Sequence, residues 1–499
     1  MRAMSRHRYR PAIAVALIVV TIAAACAVNP VSGRRELSFM SPEREAALGS
    51  QAAREVAAEI GVIEQGPVAE YVRAIGGRIA AASPRTDVTY RFHVADMAEP
   101  NAFALPGGYI YVSRGLLAIT NSEEELAAVI GHEVGHVAAR HAAQRETRAT
   151  GLGVLSLLGT VAAGVFGGSY AAQAANQLGQ VAGAGLIAAY SRDQERQADQ
   201  VGQEMTARAG WNPAAMSSFL RTLDRYTRLD PRAGRRPSFF DSHPMTPERV
   251  DTTAAFAETV GQRGPGTPIA ATRAEFLRKI EGIVVGPDPA AGVVDGMRFL
   301  HPDLDFHLLL PQGWQVENSR AALGVFAPRG DALLTLMLQE QGNDPAAAAR
   351  TFLQANRLQP VAAGPLAVGG FDAYRAVAPA VTQGARVGLH LTWIAQRERI
   401  FRITGVAAAQ LFNEYAPAFE QTAGSFGALT ADERRSVHVR LLHAVPARDG
   451  ETLSALAARA GDTWSTGETA AANALTDGVR LASGQLVKVV VARPYATRP

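Results

Sequence analysis

AVIGHEVGHVAARH, residues 128–141, places His132 and His136 four residues apart with Glu133 directly after the first. On a helix that spacing sets both imidazoles on one face, one turn apart. Both can then reach a single ion at about 2.0–2.1 Å, as zinc requires. Glu133 lies one residue further round, near such an ion without ligating it. At ordinary histidine and glutamate frequencies the pattern arises by chance in about one chain in a hundred of this length. The rest of the turn is apolar or small (Val134, Gly135), so the polar face is expected to be buried, where imidazole and carboxylate need partners. The preceding NSEEELAAVI offers Asn121 or Ser122 as an N-cap and acidic residues for the positive helix end.

Two histidines leave a catalytic zinc one protein ligand short. SRDQERQADQVG, residues 191–202, carries Glu195 and Asp199 one helical turn apart. A charged pair at this spacing is as often a solvated helix face. Behind the histidine pair it reads as the missing ligand, Glu195, with Asp199 in reach of a ligating histidine and able to fix its ring.

Upstream, residues 41–61 begin with Ser41 as a candidate N-cap and repeat apolar positions at helical spacing, and residues 67–83 form a second helix of the same kind. DVTYRFHVAD, residues 87–96, alternates like a strand. A Pro106-Gly107-Gly108 turn then precedes a short β-rich run from Tyr109 to Val112. These elements predict an α+β fold: a mainly helical domain around the histidine pair, with a small β-sheet.

The chain has 499 residues and a net charge of only +3, enough length for two or three cored domains. No basic run interleaved with aromatics appears, which argues against a nucleic-acid partner. Arg2, Arg6, Arg8 and Arg10 precede an uncharged apolar run, residues 11–28, that contains Ala23, Ala24, Ala25 and the lone cysteine, Cys26. This reads as an export signal over residues 1–25, short for a membrane span. Cys26 resembles the lipidated first residue of a bacterial lipoprotein, anchored to the outer membrane on its periplasmic side because Ala27 rather than aspartate follows. The alternative is plain secretion with an unpaired thiol.

In order, NAFALPGG, HEVGHVAARH, SRDQERQADQVG and SHPMTPERV resemble the gluzincin family of the CAAX prenyl proteases and the periplasmic β-barrel assembly-enhancing proteases. The resemblance covers residues 29–260. It implies one Zn2+ per chain on His132, His136 and Glu195, Glu133 as the base, and Asp199 and Arg249 in support. It also implies that His243 either gates the site or stabilises the transition state. By the same resemblance, residues Gly108, Tyr109, Ile110 and Tyr111 form the edge that binds substrate by strand addition, with Asn101 beside it.

Residues 149–191 contain no charged side chain, and read as a lid or plug, a lipid-contacting surface, or a span. Residues 263–289 are loop-rich with one short helix, a linker that closes the 26–262 protease domain. Residues 290–430 read as an α+β accessory domain in which His301 and His307 are structural. Residues 437–493 resemble LysM, a small βααβ fold, with an Ala-rich middle that leaves peptidoglycan binding and a degenerate scaffold both open. The sequence thus predicts a zinc endopeptidase for misassembled envelope proteins, in contact with peptide substrates, the membrane and outer-membrane assembly machinery. The alternative is a non-proteolytic adaptor or chaperone.

Overall fold

The computed structural model describes residues 26–37, 40–145, 190–229, 239, 243–244, 247–261, 264, 266–382, 385–476 and 478–497. The expected signal peptide and nearly all of the uncharged segment, residues 149–189, lie outside the described residues. The architecture is mixed α and β. Strands β1 (Cys26–Val28) and β2 (Arg35–Leu37) pair antiparallel ahead of helix α1 (Pro42–Glu59). The Ser41 hydroxyl caps α1 by accepting from the Arg44 N–H at 3.2 Å, and Pro42 and Glu43 suit its first turn. After β3 (Val62–Ile63) come α2 (Pro67–Ala81), β4 (Arg91–Ala95), β5 (Ala102–Leu105), a 3-10 turn at Pro106–Gly108 and β6 (Tyr109–Ser113). The four strands form a sheet in the order β3-β4-β6-β5, with β4 and β6 parallel.

Alternation along these strands serves two cores. Phe103, Leu105 and Tyr111 face α1. Phe92, Val94, Ala104, Ile110 and Val112 face the larger core that holds α2 and the histidine helix. That helix, α4 (Glu123–Ala138), follows the short α3 (Arg114–Ile119). Ser122, of the two expected caps, accepts from the Glu125 N–H. Nearly every position of α4 is buried, as befits a helix at the centre of a domain. Its start is tied down by Glu123, which accepts from Tyr71 Oη, Trp211 Nε1 and the Ile269 and Ala270 backbone.

Helix α5 (Arg192–Arg208) lies across α4, followed by α6 (Ala215–Thr227) and α7 (Pro247–Val260). The crossing is close because of small residues. A Cβ on Gly202 would stand 2.7 Å from the His132 backbone nitrogen, and one on Gly135 would stand 2.9 Å from the Ala198 carbonyl. The segment expected to be a linker carries α8 (Arg273–Ile280), whose Phe276, Leu277 and Ile280 enter this same core. Apolar spacing on a short helix outweighed the loop-rich composition around it.

The accessory region starts with a three-stranded sheet of β7 (Val293–Asp295), β8 (Arg298–His301) and β9 (Phe306–Leu309). Strands β10 (Gln315–Asn318), β11 (Ala322–Phe326), β12 (Ala332–Gln341), β13 (Ala362–Val368), β14 (Phe371–Thr382), β15 (Ala385–Gln396) and β16 (Arg399–Ala408) form an antiparallel sheet ordered β10-β11-β12-β16-β15-β14-β13. Helix α9 (Pro345–Ala355) packs on one face of it, with Leu389, Leu391 and Trp393, and α10 (Phe412–Gly424) on the other. Covering both faces buries the residues of β15 without alternation. After α11 (Ala431–Ser436), β17 (His438–Pro446), α12 (Leu453–Ala460), α13 (Thr466–Ala472) and β18 (Leu486–Pro494) make a β-α-α-β unit with its two strands antiparallel. The unit is built onto the first domain. Leu442, Trp464, Ala472 and Val490 join the large core, and buried Lys488 donates to the Thr120 carbonyl at 2.7 Å. No helix among the described residues is long and apolar enough to cross a membrane.

Candidate metal centre

Helix α4 presents His132 and His136 one turn apart, and their Nε2 atoms stand 2.9 Å from each other. Helix α5 brings in Glu195, with Oε1 3.3 Å from His136 Nε2 and Oε2 3.6 Å from His132 Nε2. His243 completes the group, its Nδ1 3.0 Å from Glu195 Oε1 and 3.1 Å from His132 Nε2. One ligand atom from each of the four lies within 4.8 Å of the others, and all four residues are buried. Three imidazole nitrogens and one carboxylate oxygen are a donor set that suits zinc.

The atoms turned away from the cluster are held. His132 Nδ1 is 2.8 Å from Asp199 Oδ1, and Arg249 grips that carboxylate through Nε and Nη2 at 2.7 and 2.9 Å. Arg249 Nη1 also lies 2.8 Å from Glu195 Oε2. Asp199 thereby orients the His132 ring with Nε2 turned inward. The His243 ring stacks on Phe239 at 4.3 Å, and Tyr190 stacks on His136 at 3.9 Å.

Glu133 is fully buried with neither oxygen hydrogen-bonded, its Oε1 3.4 Å from His243 Nε2. An orphaned carboxylate inside a protein is costly unless something is missing beside it. Burial pushes its carboxyl up, against the pull of His243 and His132. Burial likewise opposes ionisation of Glu195, but His243 and His136 outweigh it and hold that carboxyl well below the usual range. For His136 burial prevails and keeps the ring neutral, the form that ligates. An inward-facing imidazole pair, a committed carboxylate and an idle one fit a metal with a base beside it.

Thus the structure brings together His132, Glu133, His136, Glu195, Asp199, His243 and Arg249 in one buried cluster. One expectation is corrected. Strand β6 pairs with β4 on one side and β5 on the other, so Tyr109, Ile110 and Tyr111, with Gly108 in the turn before them, are not at an edge. Alternation and the preceding Pro-Gly-Gly turn marked β6 as a strand, but pairing order is set by which strands meet across the sheet. Among the described residues the edges of this sheet are the two-residue β3 and, next to β6, β5. Ser113 N–H donates to the Asn101 carbonyl at 2.8 Å, which fixes the pairing parity and turns the N–H and C=O groups of Ala102 and Ala104 away from β6. Asn101 is fully buried beside it, with both side-chain polar atoms unpartnered.

The sequence reading passed over His141 and Gln197. His136 Nδ1 is 2.8 Å from His141 Nδ1, and His141 Nε2 is 2.9 Å from Gln197 Oε1. The available signal was a third histidine five residues after His136. Its approach depends on Arg140, which takes a left-handed φ of 57° just past the helix end.

Residues 68–256 match the sequence signature of Peptidase family M48. The mitochondrial metalloendopeptidase OMA1 of Schizosaccharomyces pombe is 29% identical over 225 residues, 44% of this chain and 63% of that one. The β-barrel assembly-enhancing protease of Yersinia pestis is 31% identical over 230 residues, 44% of this chain and 45% of that one. Metalloprotease LoiP of Escherichia coli is 31% identical over 163 residues, 33% of this chain and 60% of that one. The matched region therefore spans about half to two-thirds of these relatives, and it supports a metalloprotease. The accessory sheet and the β-α-α-β unit lie beyond it.

Proposed function

We propose that the chain is a zinc-dependent endopeptidase of the cell envelope, acting on misassembled outer-membrane proteins from a periplasmic, lipid-anchored position. The observation that carries this reading is the idle Glu133 carboxylate beside the convergent set of His132, His136 and Glu195. A zinc ion held by those three supplies Lewis acidity, polarising a carbonyl and acidifying water. Glu133 takes a proton from the attacking water at its carboxylate and delivers it to the departing amine. Asp199 and Arg249 keep His132 aimed. The Ala102 and Ala104 backbone of β5, turned away from β6 but buried, is the line along which an extended peptide would add once the chain over it moves aside, with the unpartnered Asn101 side chain next to it.

His243 occupies the fourth place of the ligand set, the one a catalytic zinc site keeps open. That supports a gating role, in which substrate entry displaces it. The β-α-α-β unit has the layout of a LysM module, and its packing on the protease core supports a scaffold role over an independent peptidoglycan reader. Cys26 is proposed as the lipidated residue: Cys26→Ser should abolish lipid labelling and release the protein from membranes, and retention without label would remove the anchor.

The test of the main reading is metal analysis with casein cleavage by the mature chain and by Glu133→Gln. The variant keeps shape and zinc but accepts no proton, so cleavage should fall by about 10²–10⁴-fold with zinc stoichiometry unchanged. Undiminished cleavage would remove Glu133 as the base, and a wild-type chain that cleaves nothing would leave the adaptor reading.

A further inference from the structure

The two histidines of α4 are buttressed by different chemistry. Behind His132 stands a carboxylate locked by an arginine, and behind His136 stands a second histidine backed by an amide. We propose that His141 and Gln197 are positioning residues that fix the proton of His136 on Nδ1, and so keep its Nε2 lone pair available to the metal. This rests on the reading of the cluster as a metal centre.

The hydrogen-bond polarity carries the argument. Asp199 holds the outer side of His132, whose Nε2 faces His136 Nε2 across 2.9 Å. His136 then has two options. A proton on its Nε2 would bond directly to His132 and satisfy the pair without any metal. A proton on Nδ1 points it at His141 Nδ1 and leaves its Nε2 lone pair turned to the point where His132, Glu195 and His243 converge, where a metal ion would take it. The second option needs His141 Nδ1 to accept, hence its own proton on Nε2, and Gln197 Oε1 lies 2.9 Å from that nitrogen as the acceptor. With Oε1 turned to His141, Gln197 fits the metal-competent form of a ring two hydrogen bonds away. Reversing that amide would drive both protons the other way and close the histidine pair on itself.

The geometry is specific to this purpose. His141 is completely buried at the end of a helix, and reaches back only because Arg140 adopts a left-handed conformation that side chains other than glycine and asparagine rarely take. Arg140 is held there by bonds from its guanidinium to the Met40 carbonyl and Glu45. One helix, α5, therefore provides a candidate ligand at Glu195 and the anchors for both outer nitrogens, at Gln197 and Asp199.

The test changes polarity at constant position. Zinc affinity by chelator competition and the His136 tautomer by long-range ¹H–¹⁵N NMR would be measured on the full mature chain. His141→Ala should weaken zinc binding about 10–100-fold. His141→Asn, which can still accept from His136 Nδ1, should recover much of that loss. At the far end Gln197→Glu, an obligate acceptor, should hold zinc at least as well as wild type, whereas Gln197→Lys, an obligate donor, should lose affinity and move the His136 proton to Nε2. Equal affinities in Gln197→Glu and Gln197→Lys, or an Nε2 proton on His136 in the zinc-free wild type, would overturn the proposal. A wild type that binds no zinc yet shows the Nδ1 proton would defeat the metal reading alone.

Discussion

Buried histidines occur at both ends of this molecule, and they differ in company rather than in depth. His390, on β15 under α10, is 1% exposed and has no hydrogen-bond partner on either ring nitrogen. Burial pushes it down to about 4, so it sits neutral as a wedge between sheet and helix, near Phe419. His243 is as buried, yet the Glu195 and Glu133 carboxylates outweigh the desolvation and raise its affinity for a proton. Burial alone makes an imidazole inert. Convergence of several titratable groups on one point makes a site.

The sharpest way to break the comparison is to remove the cation that lets those carboxylates stay buried. Arg249→Ala leaves Asp199 and Glu195 without their guanidinium, and should cost about 3–5 kcal/mol of stability at neutral pH, read by urea unfolding. Burial by itself would raise the Asp199 carboxyl, but Arg249 outweighs it and holds it below the ordinary value. The stabilisation is thus complete above about pH 4–5 and is lost as pH falls through the depressed value, so the gap between variant and wild type should narrow in acid. A gap independent of pH would mean that Arg249 acts by packing alone.

At the other end, His390 should announce itself only through pH. Its folded value near 4 lies below the ordinary 6.5, so its contribution is present above pH 6.5 and is lost as pH falls towards 4. His390→Leu should remove that loss, leaving the variant better off at pH 4 by roughly 3 kcal/mol relative to its standing at pH 7. Casein cleavage should be unaffected at neutral pH. A fall in cleavage would join the two regions functionally and undo the contrast.

The smallest effect expected is on turnover. If His243 fills the place a substrate must take, His243→Ala should raise casein cleavage several-fold with zinc retained. A group that stabilised a developing oxyanion would instead lose about 10²–10³-fold on removal.

What was legible in the sequence is what local periodicity encodes. His132 and His136, four residues apart, share a helix face whatever surrounds them, and the same rule set Glu195 and Asp199 side by side. Ser41 and Ser122 cap their helices because a hydroxyl one residue ahead of a helix satisfies an orphan N–H wherever that helix lies. The α4–α5 crossing left a trace in Gly131, Gly135 and Gly202, which reads as smallness until the partner helix is known.

The order of strands left no such trace. Tyr109 to Val112 declares itself a strand by its composition, but whether it is an edge depends on which chains flank it, and β4 and β5 both do. The same holds for His141. Five residues from His136 is no helical neighbour, and only the left-handed turn at Arg140, together with Gln197 arriving from another helix, brings its ring into hydrogen-bond range. Lys488 looks like one more strand lysine until β18 is laid against the start of the histidine helix and its Nζ ends at the Thr120 carbonyl. Spacing along a chain determines which side chains share a face. Which faces meet, which strand lies at an edge and which groups stand behind a buried ring are settled by contacts between segments from tens to hundreds of residues apart, where the packing of the whole decides.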